Sequence, residues 1–324
     1  MKTMILFLSR TLVPMAALLL SAKPSKVGGQ AVIEGVMMRG RRKVSWAVRN
    51  QSGLLVVEKF PFVSAASRSK WWRLPVIRGA ANLYESLAIG YKALSRSAEI
   101  ASEEPGAGNN PAEQQQHKAN NAIASWASFG FAVLVSIGLF MYAPMWILSH
   151  YVPADSAVLF NTLAGGIRIA LFLAYLFLIS LWKDMRRIFE YHGAEHKAIF
   201  TFEDGKELTL DNMRPYTTLH PRCGTSFLLL VSLLCILLFS IVDACIIAAV
   251  GPYPHVLVRF AVHLLLIPLV AGSSYEALRL SDRFRHLPVV GAIILPGLWL
   301  QKITTRRPDD RQLEVAAAAL KALL

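Results

Sequence analysis

Four long apolar runs dominate the hydrophobic pattern: Ala122 to Leu148, Ala157 to Trp182, Thr225 to Val250 and His255 to Leu278. Each exceeds the roughly 20 residues that a helix rising about 1.5 Å per residue needs to cross about 30 Å of hydrocarbon. The pattern therefore predicts four transmembrane helices, paired as hairpins over 122–182 and 224–280. A fifth apolar stretch, His286 to Leu300, is shorter and contains Pro288, Pro296 and Gly297. It predicts a re-entrant or interfacial segment, followed by a C-terminal helix within 281–324.

Outside these runs the period changes. Val44 to Arg49 and Leu54 to Phe60, separated by Asn50-Gln51-Ser52-Gly53, read as strand, turn and strand. Gly28 to Gly40 is a short alternating run bracketed by glycines, and Leu83, Leu87, Tyr91 and Leu94 repeat at helical spacing. Residues 23–101 thus predict a small sheet with an amphipathic helix, and Trp71-Trp72-Arg73 has the make-up of a headgroup-level segment. The fold class is a polytopic α-helical membrane protein with a small cytoplasmic α+β portion. Residues 1–22 read as a leader or start-site extension, and 102–121, rich in Glu, Pro, Gly, Asn and Gln, as a disordered linker. Thr209 is a candidate cap for a short helix up to Pro215. Pro308-Asp309-Asp310 would cap a last helix, Arg311 to Leu323.

Composition supports membrane insertion, with 54% hydrophobic residues and a mean hydropathy of +0.43. A net charge of +13 raises the question of a nucleic-acid partner, but its distribution answers it. The links Ser149 to Ser156 and Gly251 to Pro254 carry no Lys or Arg, while the segments before the first span, between the second and third, and after the fourth carry nearly all of them. That is the positive-inside arrangement, and it places both termini and the middle loop, 183–223, in the cytoplasm of a multi-pass protein of the bacterial inner membrane. No nucleic-acid module is present, so membrane lipids are the expected partners.

The middle loop carries the chemistry. His192-Gly193-Ala194-Glu195-His196 has the order H-x-x-E-H, which on a helix puts both imidazoles and the carboxylate on one face. Two neutral His nitrogens at that spacing suit a divalent metal, with Glu195 as general base towards a metal-bound water; inverzincin peptidases use the same order. If the second span runs on unbroken past Trp182, the pair stands about 15 to 21 Å beyond it. His220-Pro221-Arg222-Cys223 adds two donors, and the His and Cys set favours zinc. Glu276 is the alternative third ligand, and Glu34, between glycines, a further candidate. If His220 and Cys223 both bind, no position stays open for water and the site is structural. Within the spans, Arg168, Asp243, Arg259 and His263 form a candidate polar cluster, structural or a proton or ion relay.

The strings GGQAVIEGVMMRG (Gly28 to Gly40), HGAEHK (His192 to Lys197), LHPRCGTSF (Leu219 to Phe227), Ser274 to Glu276 and PGLWLQKITTRRPDDRQLEVA (Pro296 to Ala316) together resemble the YqhQ-like family of bacterial membrane proteins. Its members are commonly described as predicted metal-dependent enzymes. The resemblance, from about Lys26 to the C-terminus, implies membrane location and a metal site at His192, Glu195 and His196. The expectation is a zinc-dependent hydrolase at the cytoplasmic membrane face, acting on a membrane-surface or peptide substrate. Two alternatives are open: a non-enzymatic adaptor or regulator with a structural metal, and an ion transporter.

Overall fold

Alternation at strand period builds a sheet that is covered on both faces. A computed structural model describes residues 27–64, 71–102, 127–221, 223–283 and 288–324. The leader and nearly all of the 102–121 linker lie outside them. The strands are β1 (Gly28–Val32), β2 (Gly35–Arg39), β3 (Lys43–Arg49) and β4 (Leu55–Pro61). The helices are α1 (Ile77–Ser102), α2 (Ala127–Leu148), α3 (Ala157–Ser180), α4 (Lys183–Glu203), α5 (Leu210–Met213), α6 (Gly224–Val250), α7 (Val256–Leu265), α8 (Ile267–Arg283), α9 (Pro288–Thr304) and α10 (Asp310–Leu323). The described residues fall into two compact units, one drawing on 27–102, Leu176–Val231 and Ala271–Leu324, the other on 127–175 and Ser232–Val270.

In the first unit the four strands form an antiparallel meander, β1-β2-β3-β4. Val44, Trp46 and Val48 of β3 join Ile89, Ala93 and Ile100 of α1 in one core. Ala47, with Val36 and Met38 of β2, joins Tyr191, Ala194 and Ala198 of α4 and Leu313, Ala316 and Leu320 of α10 in the other. A large apolar side chain buried this way contributes about 1.5–3 kcal/mol, so two faces of apolar positions specify a helix, sheet, helix sandwich. The polar Ser45 is tolerated in the inner face because its hydroxyl donates to the Ala319 carbonyl at 2.7 Å. The expected strand, turn and strand are present within a residue of their expected limits, with Asn50 Oδ1 accepting the Leu54 N–H at 2.9 Å and Gly53 at φ +83°.

Caps fall where the sequence places them. Thr209 accepts the Asn212 N–H at the start of α5. Asp309 accepts the Gln312 N–H at 2.7 Å while Gln312 Oε1 accepts the Asp309 N–H at 2.9 Å, a complete capping box for α10. Asp309→Ala should lower the stability of the purified protein by about 1 kcal/mol in thermal unfolding, and Asp309→Asn by much less.

Among the described residues, three helices are long and apolar enough to cross a membrane: α2, α3 and Leu228–Val250 of α6. The fourth expected span is broken. α7 stops at Leu265 and α8 starts at Ile267, so the two qualify only when counted as one interrupted span. Pro268 is the cause: it lacks an N–H and its ring crowds the carbonyl four residues back. The second span does not run unbroken into the His pair either. Trp182 is extended (ψ 132°) and a new helix begins at Lys183, with Asp184 in its first turn, where an acid suits the positive helix end. In the segment expected over His286 to Leu300, the described residues from Pro288 run as helix to Thr304, and the far end buries Leu298, Gln301 and Thr304.

In the second unit, Met145 and Leu148 of α2 pack with Phe160 and Ala164 of α3. Gly165 lets α3 approach Ile236, since a Cβ there would lie 2.1 Å from its Cγ1.

Candidate metal centre

Helix α4 places His192, Glu195 and His196 on one face, as their spacing requires, with Glu195 and His196 buried and His192 half-buried. The turn before α6 brings Cys223 to them: His192 Nε2 stands 3.1 Å from Cys223 Sγ. Ligand atoms of His192, His196 and Cys223 all lie within 4.8 Å of one another. In a tetrahedral zinc site, bonds of about 2.0 to 2.3 Å put neighbouring donors roughly 3.5 Å apart, so the spread is of the right order.

The other ring nitrogen of each histidine is committed to a backbone carbonyl. His192 Nδ1 donates to Thr304 O at 2.8 Å, and His196 Nδ1 to Thr218 O. A donor Nδ1 fixes the tautomer with a bare Nε2, the form that binds a metal, and the carbonyl orients the ring. Burial pushes the His196 pKa down, which also favours the neutral ligand form.

Both carbonyls are held by features that spacing alone does not reveal. Gly193 lets the 304–306 segment lie against α4: a Cβ there would fall 2.1 Å from Arg306 O, and the Arg306 N–H donates to Phe189 O at 2.8 Å. Lys197 Nζ donates to the carbonyls of Arg214, at 2.6 Å, and Tyr216, pinning the loop that carries Thr218. The side-chain amide of Gln301 makes a two-point bond to the His220 backbone, donating to its carbonyl at 2.8 Å and accepting its N–H at 2.7 Å. Gly193 and Lys197 complete the HGAEHK string, whose Ala194 packs in the core.

Glu195 is buried beside the cluster. Its carboxylate accepts the Gly29 N–H, and its pKa is pushed up to about 7, chiefly by burial, with the nearby Cys223 adding to the rise and His192 and the Gly29 N–H opposing it. Gly29 is glycine for a steric reason, since a Cβ there would stand 2.5 Å from Glu195 Oε1.

The remaining candidates have other partners. His220 is buried with its Nε2 3.6 Å from Glu203 Oε2, its ring 5.5 Å from that of His196, and it lies outside the three-residue cluster. Glu276 is not at the cluster: it takes a two-point ion pair from Arg78, with Arg78 Nε donating to Oε1 at 2.6 Å. Glu34 also lies outside the three-residue cluster. It sits in the β1–β2 turn at φ 51°, a left-handed conformation unusual for a side-chain-bearing residue. Its carboxylate accepts from Arg187 Nη2 at 2.6 Å and from the Tyr191 hydroxyl at 3.2 Å, tying the hairpin to the helix turn that precedes His192. Both acids are paired with arginines distant in sequence.

In the second unit, Asp243 draws Arg259 and His263 together as their positions suggest. Arg259 Nε donates to Oδ2 at 2.7 Å and His263 Nε2 to Oδ1 at 2.9 Å. Asn161 Nδ2 and the Tyr253 hydroxyl complete the carboxylate at 2.7 and 2.8 Å. Arg168 makes no hydrogen bond to this acid; it stands over the Phe239 ring at 5.7 Å.

Among the described residues, fold and site define a mostly helical protein with three to four candidate membrane-spanning helices, a small four-stranded sheet and a His, His and Cys cluster in which His196 and Cys223 are buried and His192 half-buried. A family model described as "Protein of unknown function (DUF1385)" matches residues 74–324, and the chain belongs to that family. It is 31% identical over 309 residues to "Uncharacterized protein YqhQ" of Bacillus subtilis (strain 168), an alignment covering 93% of each chain. No solved structure matches it.

Proposed function

We propose that the chain is a multi-pass protein of the bacterial cytoplasmic membrane that carries a zinc-dependent hydrolase centre on its cytoplasmic side. The observation that carries this reading is the convergence of His192 Nε2, His196 Nε2 and Cys223 Sγ with both Nδ1 atoms already committed to carbonyls. The donor set fits a divalent metal, zinc first among them.

With His220 facing Glu203, three protein donors remain, and three donors leave a fourth position for water or substrate, which favours a catalytic over a structural centre. The metal would supply Lewis acidity there. Glu195, steadied by the Gly29 N–H, is the general base at its carboxylate oxygen, and the surrounding apolar helix face excludes bulk water. Charge distribution supports the cytoplasmic side: the loop 183–223 that carries the centre holds Lys and Arg, and the links 149–156 and 251–254 are free of both. Membrane lipids are the surroundings, and a substrate at the membrane surface, a peptide among the candidates, is the class this location admits.

Glu195→Gln separates a hydrolase from an adaptor with a structural metal. Bound zinc should stay at the wild-type level while turnover of any ester or peptide substrate found for the metal-loaded protein falls by about 10²–10⁴-fold. Unchanged turnover would remove Glu195 from the reaction.

A further inference from the structure

The apolar helices around Asp243 carry a charge imbalance that their own residues do not close. Along α2, α3, α6 and α7 the sequence holds two arginines, Arg168 and Arg259, one histidine, His263, and one acid, Asp243. With His263 neutral, one positive charge is in excess. Asp243 cannot serve both arginines, because its two oxygens already take four donors, from Arg259, His263, Asn161 and Tyr253.

Arg168 is the unserved cation. Its Nε and Nη2 are buried with no hydrogen-bond partner among the described residues, and its guanidinium lies over the Phe239 ring. His263 stacks on that same ring at 4.0 Å, and its Nδ1 is likewise buried without a partner. A guanidinium does not shed its proton, so unlike a lysine it cannot escape an apolar site by becoming neutral. A charged side chain in such a place is costly until a counter-charge arrives.

We propose that Arg168 binds a small monovalent anion, held by its Nε and Nη2 N–H groups beside Phe239 and His263. Depth selects the class of ligand. Arg168 lies near the middle of α3, about 17 Å from either end at about 1.5 Å per residue. That is close to the centre of a hydrocarbon layer about 30 Å thick, where a lipid phosphate does not reach.

The inference rests on the membrane reading of α3, α6 and α7 and is independent of the metal centre. Full-length protein in detergent is titrated with chloride, bromide or nitrate replacing gluconate, at constant sodium and ionic strength, and its thermal midpoint followed. A saturable rise of several degrees is expected for wild type, with apparent affinity at least tenfold weaker in Arg168→Gln and intermediate in Arg168→Lys. Cys235 lies within electrostatic reach of Arg168, so Cys235→Ala is included and should keep the response. No anion dependence in wild type, or the same dependence in Arg168→Gln, overturns the proposal. Loss of the response in Cys235→Ala would assign the counter-charge to a thiolate and overturn it too. If Arg168→Gln does not fold, an unweakened affinity in Arg168→Lys overturns it. Alkaline carbonate extraction tests the membrane reading separately: release of the protein into the soluble fraction would contradict that reading itself.

Discussion

Asp243→Ala should destabilise the protein by about 3–5 kcal/mol, read as a lower midpoint in thermal or denaturant unfolding of detergent-purified protein. Asp243 is fully buried and accepts from Arg259, His263, Asn161 and Tyr253. Arg259, with 4% of its side chain exposed, lies over the Phe160 ring at 3.5 Å. Removing the acid strands that guanidinium without a counter-charge in a place water does not reach. The cost is that of an unpaired buried charge rather than of the pair, so a compensating change should recover much of it: Asp243→Leu with Arg259→Met should be more stable than Asp243→Ala alone. A double variant as unstable as the sum of its parts would mean that the polar cluster specifies the packing of α6 and α7 by more than charge neutralisation.

Gly193→Val is the second large effect. A Cβ at this position would lie 2.1 Å from the Arg306 carbonyl oxygen and 3.1 Å from Thr218 Cγ2. The first neighbour is backbone, held in turn by the Arg306 N–H on Phe189 O, so the 304–306 segment must shift. The expected loss is about 1–3 kcal/mol or more of stability. Because Thr304 O leaves His192 Nδ1 as that segment shifts, bound metal should fall well below the wild-type amount. Gly166→Ala is the matched control. It lies on α3 with nothing within 4 Å of its added Cβ, and the same loss of helical glycine should there be neutral or mildly stabilising. If Gly193→Val kept both stability and metal, the close approach of the 304–306 segment would not be what orients His192.

The parts of this architecture that were legible in the sequence are those written in local period. Alternation marked β3 and β4, Asn50 to Gly53 marked their turn, and the apolar runs marked α2, α3 and α6. The i, i+4 spacing of His192 and His196 and the H-x-x-C spacing ending at Cys223 marked three donors that the fold brings together. The break at Leu266 was also written there, in Pro268, but hydropathy summed over the run conceals a missing N–H. The break at Trp182 carries no proline or glycine and is visible only as extended backbone.

What the sequence did not disclose are contacts between distant backbone and side-chain atoms. Glu34 and Glu276 looked available because their arginine partners lie 153 and 198 residues away. Gly29, Gly193, Lys197 and Gln301 act on carbonyls, N–H groups and close approaches that no spacing rule encodes, yet they fix the ring tautomers and hold the carboxylate. Glycine with two neighbours drawn from remote segments is the one class of clue that a string such as HGAEHK does contain, and its meaning needs the partner segment.

The most direct test is the metal content of the purified protein, by elemental analysis, in wild type and in His192→Ala with His196→Ala, after zinc is supplied and loosely held ions are removed. About one zinc per chain, lost in the double variant and greatly reduced in Cys223→Ser, is the expected result, since each removes ligands from a three-donor set. No retained metal in correctly folded wild type, or equal retention in the double variant, would contradict a metal centre at these residues and leave the two histidines as structural contacts to Thr304 and Thr218.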